Sequence, residues 1–252
     1  MEYRWYAKII MSHLIYTDGF QKFKVEKKKF NQLKKLKKLI LKVSEKAIKK
    51  KIKRAEEIHK IIKDGDNFNE VKLKIISKMN KLEINKILFS ILKENLIKIF
   101  GPDIAVQKKV NLVIQRPFDK NFVTLHKDSP PNSLHELVVW MPLMDCKKTN
   151  AFKFLNIESS KKIEKMFKNK VNEKKIKQFA KKKSFSVNTN FGEFIIFWTG
   201  VYHYSGMNCE NSTRWSLNLR YKNLFTPYGA KAYLDYFEPI NYSNLTKLNI
   251  DY

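Results

Sequence analysis

About a hundred residues of lysine-studded helical periodicity, followed by a series of short apolar runs with strand alternation, predict an α+β protein. The architecture that fits this order is a double-stranded β-helix, a cupin-like jelly roll, with an N-terminal helical buttress against one sheet. A polar helical segment at 159–183 interrupts the strand series, as an insertion between strands would. The expected division is therefore 1–103, a strand and basic helices packing on the core, and 104–252, the jelly roll with its insertion.

Taken in order, residues 8–18 read as a short strand closed by the turn Thr17-Asp18-Gly19. A long helical pattern covers 26–62, with Leu33, Leu36, Ile40, Val43, Ile48, Ile52 and Ala55 on one stripe and lysines around the rest. Asp64-Gly65-Asp66 breaks it. Helices follow at 67–79 and 83–100, the second carrying Ile84, Leu88, Ile91 and Leu92 and ended by Gly101-Pro102. Strands are expected at 107–116, 122–128, 136–144, 151–155, 184–190, 193–199 and 213–222. The lysine-rich helices are read as packing on the sheet with a solvated outer face. No repeat of 20 to 50 residues is visible.

Composition narrows the class. A hydrophobic content of 43% with 13% aromatics belongs to a folded chain. The formal net charge of +27 would ordinarily suggest a nucleic acid or an anionic membrane. Only five of the 51 basic residues are arginine, however, and recognition of bases and phosphates favours the arginine fork, so a nucleic-acid partner is not expected. The lysine, asparagine and isoleucine content looks instead like compositional bias. Two isolated cysteines, Cys146 and Cys209, offer no disulfide framework and imply a reducing, cytoplasmic setting. No run reaches the ~18 apolar residues of a membrane span, and the N-terminus lacks the pattern of a signal peptide.

The chemistry concentrates in two places. In NFVTLHKDSPP, His126 and Asp128 stand two apart, so on extended backbone both point to one side and can reach one metal. Far downstream, FWTGVYHYSGMNCENSTRWSLNLRYKN supplies His203 and then Arg214, with Ser205 and Ser216 each two residues beyond. Two imidazoles and one carboxylate are the ligand set of the facial triad that binds non-haem iron and leaves positions open. Around Arg214 the strand alternates: Trp215, Leu217 and Leu219 on one face, and Arg214, Ser216, Asn218 and Arg220 on the other. That second face is a row of donors suited to an anionic ligand. A His-x-Asp alone is cheap, arising by accident in about a quarter of such chains. The weight lies on the ordered set.

These motifs, with QKKVNLVIQRP, HELVVWMPLMDC, GEFIIFW and RWSLNLRYKNLFTPYGAK around them, resemble the iron(II)- and 2-oxoglutarate-dependent oxygenases of the phytanoyl-CoA dioxygenase type. Within that type the sequence is most similar to the branch associated with bacterial surface-carbohydrate and aminoglycoside gene clusters. The resemblance covers about Val106 to Ile240. It implies His126, Asp128 and His203 as iron ligands, Arg214 on the distal carboxylate of 2-oxoglutarate, and Ser205 or Ser216 assisting. The implied cofactors are Fe(II) and 2-oxoglutarate. Molecular oxygen and a small-molecule or lipid-linked sugar are the implied partners, and the implied reaction oxidises an unactivated carbon–hydrogen bond. Asp128 argues against halogenation, which replaces the carboxylate by a small residue. Two departures stand: Lys127 between the first two ligands, and LMDCKKTNAFKFL without the Gly-Cys-Leu turn of the broader family.

Gln115, His135, Asn218 and Arg220 are candidate substrate contacts, and Arg220 with Lys222 suggests phosphate. For Arg220 a structural ion pair is an equal reading, as an exposed strand face is for Gln107 and Gln115. His13 and His59 lie outside the motifs, while Trp140 and Trp198 are read as core. The competing reading of the whole chain is a catalytically inactive jelly roll that binds nucleic acid or carbohydrate, in which no iron would be held and binding to nucleic acid would fall steeply with salt.

Overall fold

The computed structural model describes residues 15–62 and 68–251. Most of the strand expected at 8–18 lies outside the described residues. Its last part, 15–18, is instead a helical turn, closed by the Gly19 N–H donating to the Ile15 carbonyl at 2.9 Å. Gly19 sits at φ +79°, where a Cβ would lie 2.3 Å from a methyl of Val201, so glycine is required there. The chain then enters β1 (Phe20–Lys24), which pairs with a later strand and makes the N-terminal part an edge of the main sheet.

Helix α1 (Phe30–Ile48) buries Leu33, Leu36, Ile40 and Val43. The helix expected to run on to 62 stops at Lys49, which takes left-handed backbone (φ +55°). An uninterrupted helix of that length would be roughly 55 Å long. Turning instead lets Ile52 bury, its N–H donating to the Glu45 carboxylate at 2.8 Å, and brings Ala55 and Ile58 into the same core through the short α2 (Ile58–Ile61). Helix α3 (Phe68–Met79) and α4 (Ile84–Phe100) follow, the latter burying Leu88, Ile91, Leu92 and Leu96.

The strands are β2 (Ile104–Gln107), β3 (Asn111–Gln115), β4 (Leu137–Pro142) and β5 (Phe152–Phe154). The polar insertion is two helices, α5 (Ile157–Lys168) and α6 (Glu173–Lys183), capped by Asn156 and Asn172. Then come β6 (Phe185–Val187), β7 (Glu193–Trp198), β8 (His203–Tyr204), β9 (Arg214–Asn223), β10 (Phe237–Asn241) and α7 (Asn244–Asp251). The run 107–116 is thus split at a turn. The expected strand 122–128 is an extended loop joined to β8 by a His126–His203 bridge; it does not continue as a ladder, because the Ser129 N–H goes to the Thr199 carbonyl (3.0 Å) and Pro130 and Pro131 have no N–H to donate. β10 and α7 had no counterpart in the sequence reading.

The main antiparallel sheet has seven strands in the order β1-β7-β4-β9-β2-β10, with β3 also on β9. A second sheet, β6-β5-β8, faces it. This is the α+β double-stranded β-helix. The two layers meet in an aromatic cluster in which Phe152 of β5 stacks on Trp140 of β4 (5.4 Å between centroids) and Phe154 packs on Phe197 of β7. On the outer side of the main sheet, Tyr221 meets Phe89 of α4. Trp215 is fully buried and donates from its indole to the Ala55 carbonyl at 2.8 Å. Trp215→Phe keeps the bulk but strands that acceptor, so urea unfolding is expected to show a loss of about 1–3 kcal/mol. A loss near zero would mean that water replaces the indole.

Candidate active site

Alternation along β9 separates two functions. Its odd positions, Trp215, Leu217, Leu219 and Tyr221, are buried against the helices. Its even positions, Arg214, Ser216, Asn218, Arg220 and Lys222, share the opposite face, toward the interior between the sheets. His126 and His203 are directly opposed: each backbone N–H donates to the other's carbonyl, at 3.1 and 2.8 Å. Asp128 then turns back beside them.

The three side chains converge. Asp128 Oδ1 lies 3.5 Å from His126 Nε2 and 3.9 Å from His203 Nε2, and all three ligand atoms fall within 4.8 Å of one another. Both imidazoles are held from behind. His126 Nδ1 donates to the Thr124 carbonyl (2.8 Å) and His203 Nδ1 to the Val201 carbonyl (3.0 Å). Those contacts select the Nδ1–H tautomer and leave both Nε2 lone pairs aimed at Asp128. A divalent ion would draw the three atoms together, since metal bonds of ~2.1 Å put neighbouring ligands about 3 Å apart. Three ligands on one side leave the other positions open.

Electrostatics favour a cation there. Burial among Phe152, Phe154 and Phe197 pushes His203 down to about 4, so it is neutral and ready to ligate at neutral pH. Burial alone would raise Asp128, but the hydrogen bond to the His126 ring, His203 once acid protonates it, and the Arg220 guanidinium outweigh it and hold the carboxyl well below the usual range. For His126 burial opposes protonation, and the neighbouring Asp128 carboxylate more than offsets it and draws the value up.

Arg214 is the second feature. It is 1% exposed, and burial pushes it down to about 10. Its Nη1 donates to the Asn150 carbonyl (3.1 Å) and its Nη2 to Ser205 Oγ (2.8 Å). No carboxylate pairs with it among the described residues, and its Nε–H has no partner. Around it, Ser216 Oγ, Asn150 Oδ1 and Gln115 Oε1 are also buried without partners. A buried guanidinium without a counter-ion is costly, so this pocket calls for an anion. A carboxylate fits: it would meet the free face of the guanidinium and the Ser216 hydroxyl. Ser205 ties the two features together, because on β8 and its continuation it follows His203 by two residues. The residues present therefore fit both a divalent metal and an acidic cosubstrate.

The other candidates separate. Gln115 stands opposite Arg214 across the β3–β9 ladder and donates to the Gly206 carbonyl at 2.6 Å. Asn218 shares the interior face, its Oδ1 buried without a partner. Arg220 does not reach out for a ligand. Its Nη2 donates to Asp128 Oδ2 at 2.8 Å, turning Oδ1 toward the histidines, which is the ion-pair reading. His135 is exposed and lines a surface cleft with Lys98, Leu134, Leu137 and Trp198 that contains none of the triad. Trp140 is fully buried, whereas Trp198 is partly open to that cleft. His59 bonds Thr213 (2.9 Å). His13 lies outside the described residues. Asn150 was missed, since a backbone carbonyl has no sequence signal.

Cys146 is buried near Arg214, and burial pushes its thiol up to about 12, while Cys209 is exposed. One thiol per chain is therefore expected to react with a disulfide reagent under native conditions, and both after unfolding. Two reactive thiols in the native protein would contradict the packing around Cys146.

No protein-family model matches the chain, and no curated protein matches it in sequence. Solved structures are similar in fold. The non-heme monooxygenase ThoJ, in its apo form, aligns over 93% of this chain and 84% of its own at 13% identity, with a TM-score of 0.59. The non-heme alpha ketoglutarate dependent epimerase SnoN from nogalamycin biosynthesis aligns over 86% and 83% at 12% identity, TM-score 0.51. HygX from Streptomyces hygroscopicus, solved with iron bound, aligns over 90% of both chains at 9% identity, TM-score 0.51.

Proposed function

We propose that the chain is an iron(II)- and 2-oxoglutarate-dependent oxygenase of the phytanoyl-CoA dioxygenase type. The observation that carries the reading is the pairing, within one jelly-roll interior, of a two-histidine, one-carboxylate cluster with a fully buried arginine that has no counter-ion among the described residues. The fold likeness to ThoJ, SnoN and HygX supports it. Bound iron with 2-oxoglutarate supplies the activation of oxygen, which reacts slowly with closed-shell substrates unaided. His126, Asp128 and His203 would hold the metal. Arg214, with Ser216 beside it and Ser205 holding it from behind, would take the far carboxylate and so set the cosubstrate's direction. Phe152, Phe154 and Phe197 form an apolar wall beside His203 that limits water.

The substrate we infer is a small sugar-containing intermediate, free or lipid-linked, of surface-carbohydrate assembly in the cytoplasm, and the outcome hydroxylation or a related oxidation. The polar interior face at Asn218, with Gln115 nearer the arginine, and the sequence resemblance support this. The described residues hold no helix long and apolar enough to cross a membrane. The test is anaerobic addition of Fe(II) and then 2-oxoglutarate, followed by oxygen with panels of nucleotide sugars and acyl-CoA thioesters. The expected result is a visible charge-transfer absorption that needs both Fe(II) and 2-oxoglutarate, then succinate formation raised by the sugars. No absorption and no succinate would refute the oxygenase reading. Oxygen uptake with thioesters alone would refute the substrate class.

A further inference from the structure

The interior face of β9 continues past Asn218 into a second polar group, beyond the triad as seen from Arg214. Arg220 is its hinge: one guanidinium nitrogen donates to Asp128 Oδ2 (2.8 Å), and the other donates to the Tyr236 hydroxyl (3.1 Å). Tyr236 is thus one guanidinium away from the carboxylate of the triad. Lys231, half-buried on the loop leading into β10, also donates to the Tyr236 hydroxyl (3.4 Å) and lies over its ring. A phenol that accepts from two cations has its own proton left to give. No acceptor for that proton appears among the described residues.

Charge in this corner does not balance. The carboxylates that act on Arg220 and Lys231 are Asp128 and Glu136, and the one that acts on Lys222 is Glu136. Glu136 is fully buried, its Oε2 has no partner, and burial favours its neutral form. Lys222 is fully buried as well, donating to the Pro227 carbonyl (2.6 Å) with its ammonium 3.5 Å from the Tyr228 ring centre. Burial pulls it down to about 8, which leaves it charged at neutral pH. Lys231 has no carboxylate partner among the described residues, and of the two lysines it is the one that reaches solvent. Among the described residues, at least one positive charge is therefore without a counter-ion beside the triad.

We propose that Lys231 and Tyr236, backed by Arg220, form a subsite for a singly charged oxyanion, a carboxylate or a phosphodiester, on the molecule to be oxidised. The lysine supplies a point charge and the phenol a directed donor, so the pair selects for charge at a fixed place rather than for a planar fork. With the anion anchored there, the rest of the substrate lies toward the open side of His126, the most exposed member of the triad. Lys231 and Tyr236 are positioning residues, and the inference rests on the oxygenase reading of the triad.

The test uses protein loaded with Mn(II) and saturated with 2-oxoglutarate, so that the Arg214 pocket is filled. Methyl protons of acetate and of dimethyl phosphate then report, through paramagnetic relaxation, whether each binds close to the metal. Enhancement is expected for at least one probe, and which one responds separates a carboxylate from a phosphodiester. Lys231→Met and Tyr236→Phe should each weaken that probe's binding about tenfold or more. Lys174→Met, which removes an exposed lysine of α6, should leave it unchanged. Mn(II) and 2-oxoglutarate binding without enhancement would overturn the subsite alone, as would enhancement that ignores Lys231. Failure to bind Mn(II) would sink the metal site and this inference with it.

Discussion

Replacing Asp128 with Ala is expected to abolish iron binding and 2-oxoglutarate-dependent succinate formation together, and also to destabilise the fold. The first effect follows from losing the one charged ligand of the triad. The second follows from Arg220, whose partner Asp128 is 12% exposed and which is itself 13% exposed. Removing one member of a buried pair leaves the other charge uncompensated, at a cost of about 3–5 kcal/mol. Asp128→Asn separates the two. The amide keeps an oxygen for the guanidinium, so calorimetry should show a smaller drop in Tm while iron affinity still falls steeply. The pair also has a pH signature. Because the folded carboxyl is held below its ordinary value of about 4, its contribution is fully present above that pH and is lost as pH falls through the folded value. Asp128→Ala should therefore flatten the acid limb of the stability curve. Wild-type succinate production in Asp128→Ala would end the assignment of the triad.

Arg214 is expected to give effects of opposite sign on stability and on cosubstrate binding. Among the described residues its buried guanidinium has no counter-ion, so in the absence of 2-oxoglutarate it is a cost to the fold. Arg214→Met, which replaces the charge with apolar bulk beside Trp140 and Phe152, should leave Tm unchanged or higher in metal-loaded protein without cosubstrate. The same change should remove most of the rise in Tm that 2-oxoglutarate produces in the wild type. In turnover, Arg214→Ala should raise the apparent KM for 2-oxoglutarate at least about tenfold, since a desolvated charged contact is worth roughly 2–5 kcal/mol. Iron affinity should change far less. Arg214→Lys should not rescue, because an ammonium lacks the two parallel donors of the fork. If Arg214→Met leaves the KM alone while Gln115→Ala raises it, the carboxylate binds elsewhere along β3 and β9.

Which candidate side chains share a face was legible in the chain because it is local. His126 and Asp128 are two apart, and Arg214, Ser216 and Asn218 alternate with Trp215, Leu217 and Leu219, so backbone period alone assigns them to faces. The stripes of α1 and α4 were legible for the same reason. Period says which residues share a face, but not what that face meets. That Arg220 spends its charge on Asp128, 92 residues away, was decided by the loop that carries Asp128 back across β9. His135 went to a surface cleft because β4 starts only at Leu137, and the turn before it points elsewhere. The end of α1 at Lys49 has no glycine or proline to announce it. β10 was hidden by Pro239, which an edge strand tolerates and an isolated pattern does not. The sequence by itself thus determined which chemistry is available and on which side of each strand it lies. Only the tertiary structure decided which charges are already paired and which, like Arg214 and Lys231, have no carboxylate partner among the described residues, because pairing depends on contacts between segments that no local period encodes.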